Sequence, residues 1–216
     1  MADDSKRRSI RNRARSAGST YHHGDLRRAL IDGALAIVAE PGGAEALTLR
    51  EVARRAGVTH AAPYRHFENK DQLLCEVAEE GFRKLTDAMA ARAARVRDSL
   101  ARYRAIGTAY VEFAAANPGH YRVMFGARLD HGHPGLAEAA QTAFDTLVGA
   151  IVAGQKAGQL RSGSAMEMAL TSWSAVHGLA MIVIDGRLAP TGLPGKSPTA
   201  LARSVVRLLA DGMAAR

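Results

Sequence analysis

Gly57 constrains this chain more than any other residue, because of what stands on either side of it. Thr48 lies nine positions before it and can cap a helix, and Glu51, three residues on, completes a capping box. Leu49, Val52, Ala53 and Ala56 form the buried stripe of that helix. Gly57 then ends it at a position where a positive φ costs a glycine little. Val58 is the apolar residue of the turn, and Thr59 caps a short third helix predicted to reach about Phe67. Two helices joined by so tight a turn must cross steeply. Val58, Pro63 and Phe67 would then face inward against Leu49 and Val52. The opposite face shows Thr59, His60, Ala61, Tyr64 and Arg65. These are small or polar groups of the kind that enter a major groove and reach base edges or phosphates. Lys70 follows at the next helix start, where it could hold a phosphate. The other reading of the same spacing is a helical hairpin that only packs. Pro63 fits either reading awkwardly: it lacks an N–H and crowds the carbonyl four residues back, which predicts a helix entered late or distorted.

The remaining sequence reads as helix almost throughout. Leu26, Leu30, Ala34, Leu35 and Val38 recur at helical spacing after Asp25, a candidate N-cap, and the run stops at Glu40, Pro41, Gly42 and Gly43. Beyond Asp71 helices are predicted over about 72–97, 100–116, a short stretch carrying Tyr121, Met124 and Phe125, then 136–157, 165–185 and 199–214. Asn117 and Pro118 read as a cap and a first turn. Aromatic and β-branched residues are sparse and no strand pattern appears. The predicted fold is therefore all-α, with three parts: a basic arm at 1–20, a helix-turn-helix unit at 21–71 and a helical bundle at 72–216.

Charge is unevenly spread. Of a formal net charge of +8, residues 1–70 carry 13 Lys and Arg against 8 Asp and Glu. The arm alone holds Lys6, Arg7, Arg8, Arg11, Arg13 and Arg15 with almost no apolar content, and reads as disordered. Such an arm suits a polyanion, in a minor groove or along a backbone, or is a solvated tail. Cys75 stands alone, so no intramolecular disulfide is possible, and it reads as a small apolar filler rather than a redox sensor. No unbroken apolar run approaches the ~20 residues of a bilayer span, and the first residues lack the apolar stretch of a secretory signal. A cytoplasmic protein with no membrane partner is expected.

The string TLREVARRAGVTHAAPYRHFENKDQLL is similar to the DNA-binding signature of the tetracycline-repressor-like (TetR) regulators. Thr48, Val52, Ala53, Ala56, Gly57, Val58, Thr59, Tyr64, His66, Phe67, Lys70, Asp71 and Leu73 carry the match over 27 contiguous residues. Pro63 departs from it, where a leucine is more usual. The resemblance implies that Thr48 caps the supporting helix and touches phosphate. Thr59, His60, Ala61, Tyr64 and Arg65 would lie on the groove side, with His66 at the phosphate rim and Lys70 on a phosphate. It also implies a homodimer on a palindromic operator in double-stranded DNA, and a C-terminal bundle that dimerises and holds a small-molecule effector. The segments YHHGDLRRAL, PGHYRVMFG and the Trp173, His177, Gly178 element resemble one TetR subgroup.

Within the bundle, Trp173, His177 and Met181 share one helix face and could line a pocket with Tyr110, Phe113, Met124, Phe125 and Phe144. The same residues could equally be plain core. The predicted helices over 136–157 and 165–185 are rich in Ala and Gly and are the natural dimer elements. His120, His131 and His133 gather near a loop, but no Cys or carboxylate completes a metal spacing, so no metal or other cofactor is expected. No phosphate-cradling glycine loop, nucleophile elbow or paired carboxylates suggest an enzyme. The expected function is a sequence-specific transcriptional regulator, a repressor released by a mostly apolar effector. The alternative is a non-specific architectural DNA-binding protein.

Overall fold

The computed structural model of the chain describes residues 23–40, 42–126, 129, 133–189 and 195–215. The basic arm at 1–20 and His131 lie outside them. The helices are α1 His23–Ala39, α2 Gly43–Ala46, α3 Leu49–Arg55, α4 Lys70–Ala93, α5 Ser99–Ala116, α6 Pro118–Met124, α7 Pro134–Lys156, α8 Ala165–Ile184 and α9 Pro198–Met213. A 3₁₀ turn covers Pro63–Arg65 between α3 and α4. Strand pairing among the described residues is limited to one isolated bridge, Leu160 with Ala214. The chain is all-α.

α1 begins at His23, so Asp25 lies inside it rather than capping it. Its buried stripe is Leu30, Ile31, Ala34, Ile37 and Val38. The one-turn helix α2 was not legible in the glycine-rich break. α4 starts at Lys70, where the Asn69 side chain accepts the Gln72 N–H at 2.9 Å, and runs unbroken into the bundle. A rigid helix, not a linker, therefore joins the two parts expected at 21–71 and 72–216. α5 is the central helix of the bundle, packed against α4, α7, α8 and α9.

α6 is wedged between the two parts, against α1 on one side and α4 on the other. It can sit so close because Gly81 of α4 faces it: a Cβ there would lie 2.6 Å from the Met124 sulfur. Pro118 occupies its first turn. Asn117 does not cap it by side chain; its Nδ2 donates backwards to the Phe113 carbonyl at 3.0 Å.

α7 and α8 are, by length and composition, apolar enough to cross a membrane, with windows of mean hydropathy 1.2 and 1.3. The expectation of no candidate span is corrected to that extent. Scattered polar residues (Gln141, Asp145, Ser172, His177) break up any continuous run, and both helices pack into the bundle.

Candidate nucleic-acid interface and internal cavity

The turn after α3 is built by local hydrogen bonds. The Thr48 hydroxyl accepts the Glu51 N–H at 3.1 Å. Glu51 makes only half of the predicted capping box, because its carboxylate takes Arg54 instead, at 2.8 and 2.6 Å. At the other end Gly57 adopts φ +68°. Its N–H reaches the Arg54 carbonyl at 3.2 Å, and the Val58 N–H reaches Ala53 at 3.0 Å, a Schellman motif.

The α-helix expected over residues 59–67 does not form. Pro63 has no N–H to return to the Thr59 carbonyl, so Ala62 makes the shorter bond to Thr59 instead, at 3.0 Å. A 3₁₀ turn then starts at Pro63, where proline is tolerated. The His66 and Phe67 N–H groups both return to the Pro63 carbonyl at 2.9 Å. Pro63 and Phe67 are buried and Val58 half-buried. Thr48, Thr59, His60, Ala61, Tyr64 and Arg65 are all exposed, and His66 and Lys70 half-exposed. Tyr64 is 63% exposed, an unusual position for a large aromatic ring.

The underside of this unit is tied to α4 and α6 by charge. Arg28 of α1 bonds both oxygens of Glu80 on α4, at 2.8 and 2.7 Å, and His120 Nε2 of α6 lies 3.3 Å from the same carboxylate. Partial burial would push Glu80 up, but hydrogen bonds from Arg28 and Lys84 outweigh it and hold its pKa at about 2. Burial lowers the pKa of His120, aided by Lys84 and opposed by Glu80. Arg27 pairs with Glu76 and lies 5.8 Å over the Phe67 ring.

Above that seam the bundle encloses a cavity of about 380 Å³, within the range of small-molecule sites. Its floor includes Phe82, Leu85, Met89 and Ile106, all buried. Ala137 and Gln141 line it and also face solvent. Polar points interrupt the apolar wall at Gln141 of α7, whose Nε2 donates to Asp145 at 2.8 Å, and at two tyrosines of α5. Tyr103 bonds Ser172 at 2.8 Å, and Tyr110 accepts the Trp173 indole N–H at 3.1 Å.

Known proteins share this arrangement. Residues 30–77 match the family described as bacterial regulatory proteins, tetR family, and residues 103–209 match the tetracyclin repressor-like C-terminal domain. A protein of unknown function from Rhodococcus sp. RHA1 is 32% identical, with 91% of this chain and 99% of that one covered and a TM-score of 0.75. This chain belongs to the TetR family. A tetR-family bacterial regulatory protein from Rhodococcus RHA1 superposes with a TM-score of 0.73 at 23% identity, covering 88% of this chain and 98% of that chain. The transcriptional regulator FadR from Bacillus subtilis, solved in complex with stearoyl-CoA, has the same fold at 18% identity and TM-score 0.72, covering 86% and 98%. TetR regulators are DNA-binding transcriptional regulators, and the Thr48–Lys70 residues described above fall inside the matched N-terminal region.

For the cavity of this TetR regulator the residue assignments divide. Tyr110, Met124, Phe125, Phe144 and Trp173 lie on the wall. Phe113 does not; it is buried elsewhere on α5. Met181 is half-exposed, a further two turns along α8. His177 sits behind the wall, its Nδ1 2.7 Å from the Tyr121 hydroxyl and 3.1 Å from that of Tyr110. Tyr103, Ser172 and Gln141 on the wall, and Tyr121 behind it, were missed. Tyr103 and Tyr110 stand seven apart on one helix face, which is the signal that could have found the first. Cys75 is buried.

Proposed function

We propose that this protein is a sequence-specific, homodimeric transcriptional repressor, released from a palindromic operator by a small, mostly apolar effector. The observation that carries the DNA-reading half is the exposed face of Thr59, His60, Ala61, Tyr64 and Arg65, with Tyr64 63% exposed among polar neighbours. These side chains would meet base edges, while Thr48, His66 and Lys70 would meet phosphate. Dimerisation is supported by α7 and α8. About a third or less of the residues in their most apolar stretches are buried, and Met166, Leu170 and Ile182 of α8 stand exposed, which is the surface a second copy would cover. Effector release is supported by the cavity and its position: Met124 of α6 lines it while α6 also packs on α1. A ligand that prefers one spacing of the two heads then shifts the population away from the operator-bound state.

A gel shift on the DNA upstream of the gene, with unrelated DNA as competitor at physiological salt, tests the reading. Preference for the upstream DNA supports it. No preference would instead favour an architectural protein held by charge alone. Tyr64→Ala is expected to weaken specific binding by ~1–3 kcal/mol with little effect on competitor DNA. An unchanged specificity ratio removes Tyr64 from the base-reading set.

A further inference from the structure

The hydrogen bonds around Tyr110 define what the cavity can hold. The Trp173 indole N–H and the Tyr121 hydroxyl both donate to the Tyr110 oxygen, at 3.1 and 3.0 Å. Those two bonds fill its two acceptor sites. His177 Nδ1 lies 2.7 Å from Tyr121, the shortest contact in the cluster. Tyr121 gives its proton to Tyr110, and His177 Nδ1 also lies 3.1 Å from the Tyr110 oxygen, so the contact with Tyr121 is attractive in the tautomer that carries the proton on Nδ1 and donates it. In that tautomer Nδ1 cannot accept from Tyr110, whose proton is free to turn to the cavity that Tyr110 lines. Gln141 lies at the solvent-facing edge and gives one N–H to Asp145, and the point at Tyr103 is different again. Ser172 donates to the Met168 carbonyl at 2.6 Å, so Tyr103 must donate its own proton to Ser172.

Charge is the second constraint. None of the described wall residues is Lys, Arg, His, Asp or Glu. Burial holds the Tyr110 phenol up at about 12 and raises that of Tyr103, so both stay neutral near pH 7. A carboxylate or phosphate brought inside would lose its hydration and find no counter-charge among the described wall residues.

We infer that the cavity takes an uncharged, largely apolar molecule carrying a hydrogen-bond acceptor, such as a ketone or ester carbonyl, with the Tyr110 hydroxyl as its donor. This rests on the effector-binding reading above and names the chemical class for that site. The two tyrosines are two helical turns apart, ~10 Å, so a straight chain of about ten carbons spans the wall between them.

Trp173 is the single tryptophan and lines the cavity, so its emission reports occupancy in the intact protein. The probes are 2-undecanone, undecane and undecanoate at neutral pH. The ketone is expected to change the emission saturably, and undecanoate to bind at least about tenfold more weakly, ~1.4 kcal/mol. Tyr110→Phe is expected to weaken the ketone by roughly tenfold and leave undecane unchanged. Undecanoate binding as tightly as the ketone overturns the inference. So does a ketone indifferent to Tyr110→Phe, or no saturable response to any probe. The gel shift without probe separates the two readings. If upstream-DNA preference persists while the probes fail, only the ligand class falls.

Discussion

The DNA-reading head and the bundle solve opposite problems. The head shows its chemistry to solvent and hides a small core: Leu30, Val38, Leu47, Val52, Phe67 and Leu73 are each under 2% exposed. The bundle hides its chemistry around a cavity and leaves large apolar side chains outside on α8 and α9. About 50 residues make the head, too few to bury a core of their own with much margin, so it leans on α4 and α6. The difference teaches where sensitivity lies. In the head, a few local bonds hold a surface in place. In the bundle, long-range packing holds a volume open.

The largest effect is expected from removing the centre of the head. Phe67→Ala deletes a ring that is 1% exposed, under Arg27 and behind the Pro63–Arg65 turn. The expected cost is ~3–5 kcal/mol, with loss of operator binding. If the head can be lost alone although its core is continuous with that of the bundle, Trp173 emission and its response to 2-undecanone stay as in the parent protein. Loss of both together would show one cooperative unit and break the comparison.

The seam between the two regions should answer to pH. The Glu80 carboxyl is held at about 2 from its ordinary 4.5. A shift of that size is on the order of 3 kcal/mol, and the 44% exposure of its partner Arg28 brings it nearer ~2. Because the folded pKa is the lower one, this stability is present above about 4.5 and is lost as pH falls from there toward 2. His120 is likewise lowered below its ordinary 6.5, so the folded state favours the neutral ring. Its contribution is present above 6.5 and declines as pH falls below it. Urea melts from pH 7 to pH 3 are expected to show stability falling across both windows. Glu80→Gln should lower stability at pH 7 and flatten the limb below pH 4.5. A parallel limb would mean that the ion pair to Arg28 does not join the two regions.

How much of each region was legible in the sequence follows from the same contrast. The Thr48 cap, the Gly57 stop and the exposure of Thr59, His60, Ala61, Tyr64 and Arg65 were readable because they depend on residues three or four apart. Pro63 was flagged as awkward, but the loss of the whole third α-helix to a 3₁₀ turn needed the competing bond from Ala62 to be seen. The cavity was harder. α5 is buried without a break from Ile106 through Val111, so a run of buried residues there does not separate a cavity wall from plain core. Tyr110 and Phe113 both looked suitable, and only the neighbours supplied by α7, α8 and α9 decide between them. His177 shares a face with Trp173, yet Tyr121 from α6 reaches its Nδ1 and holds it behind the wall. No spacing within α8 could reveal that.

Thr48 gives the smallest expected effect and the finest test, because it serves fold and DNA at once. Its hydroxyl caps α3 at 3.1 Å while the residue is exposed beside the groove face. Thr48→Ala should cost ~1 kcal/mol of stability through the lost cap. If the hydroxyl also meets phosphate, Thr48→Ala weakens binding about equally on upstream and competitor DNA, since a phosphate contact carries no sequence information. Thr48→Ser restores both, because serine caps as well and keeps the oxygen. Denaturation and gel-shift titrations on the two variants separate the roles. Stability recovered by serine with binding unmoved in either variant would leave Thr48 a purely structural residue, and the phosphate contacts would then fall to His66 and Lys70.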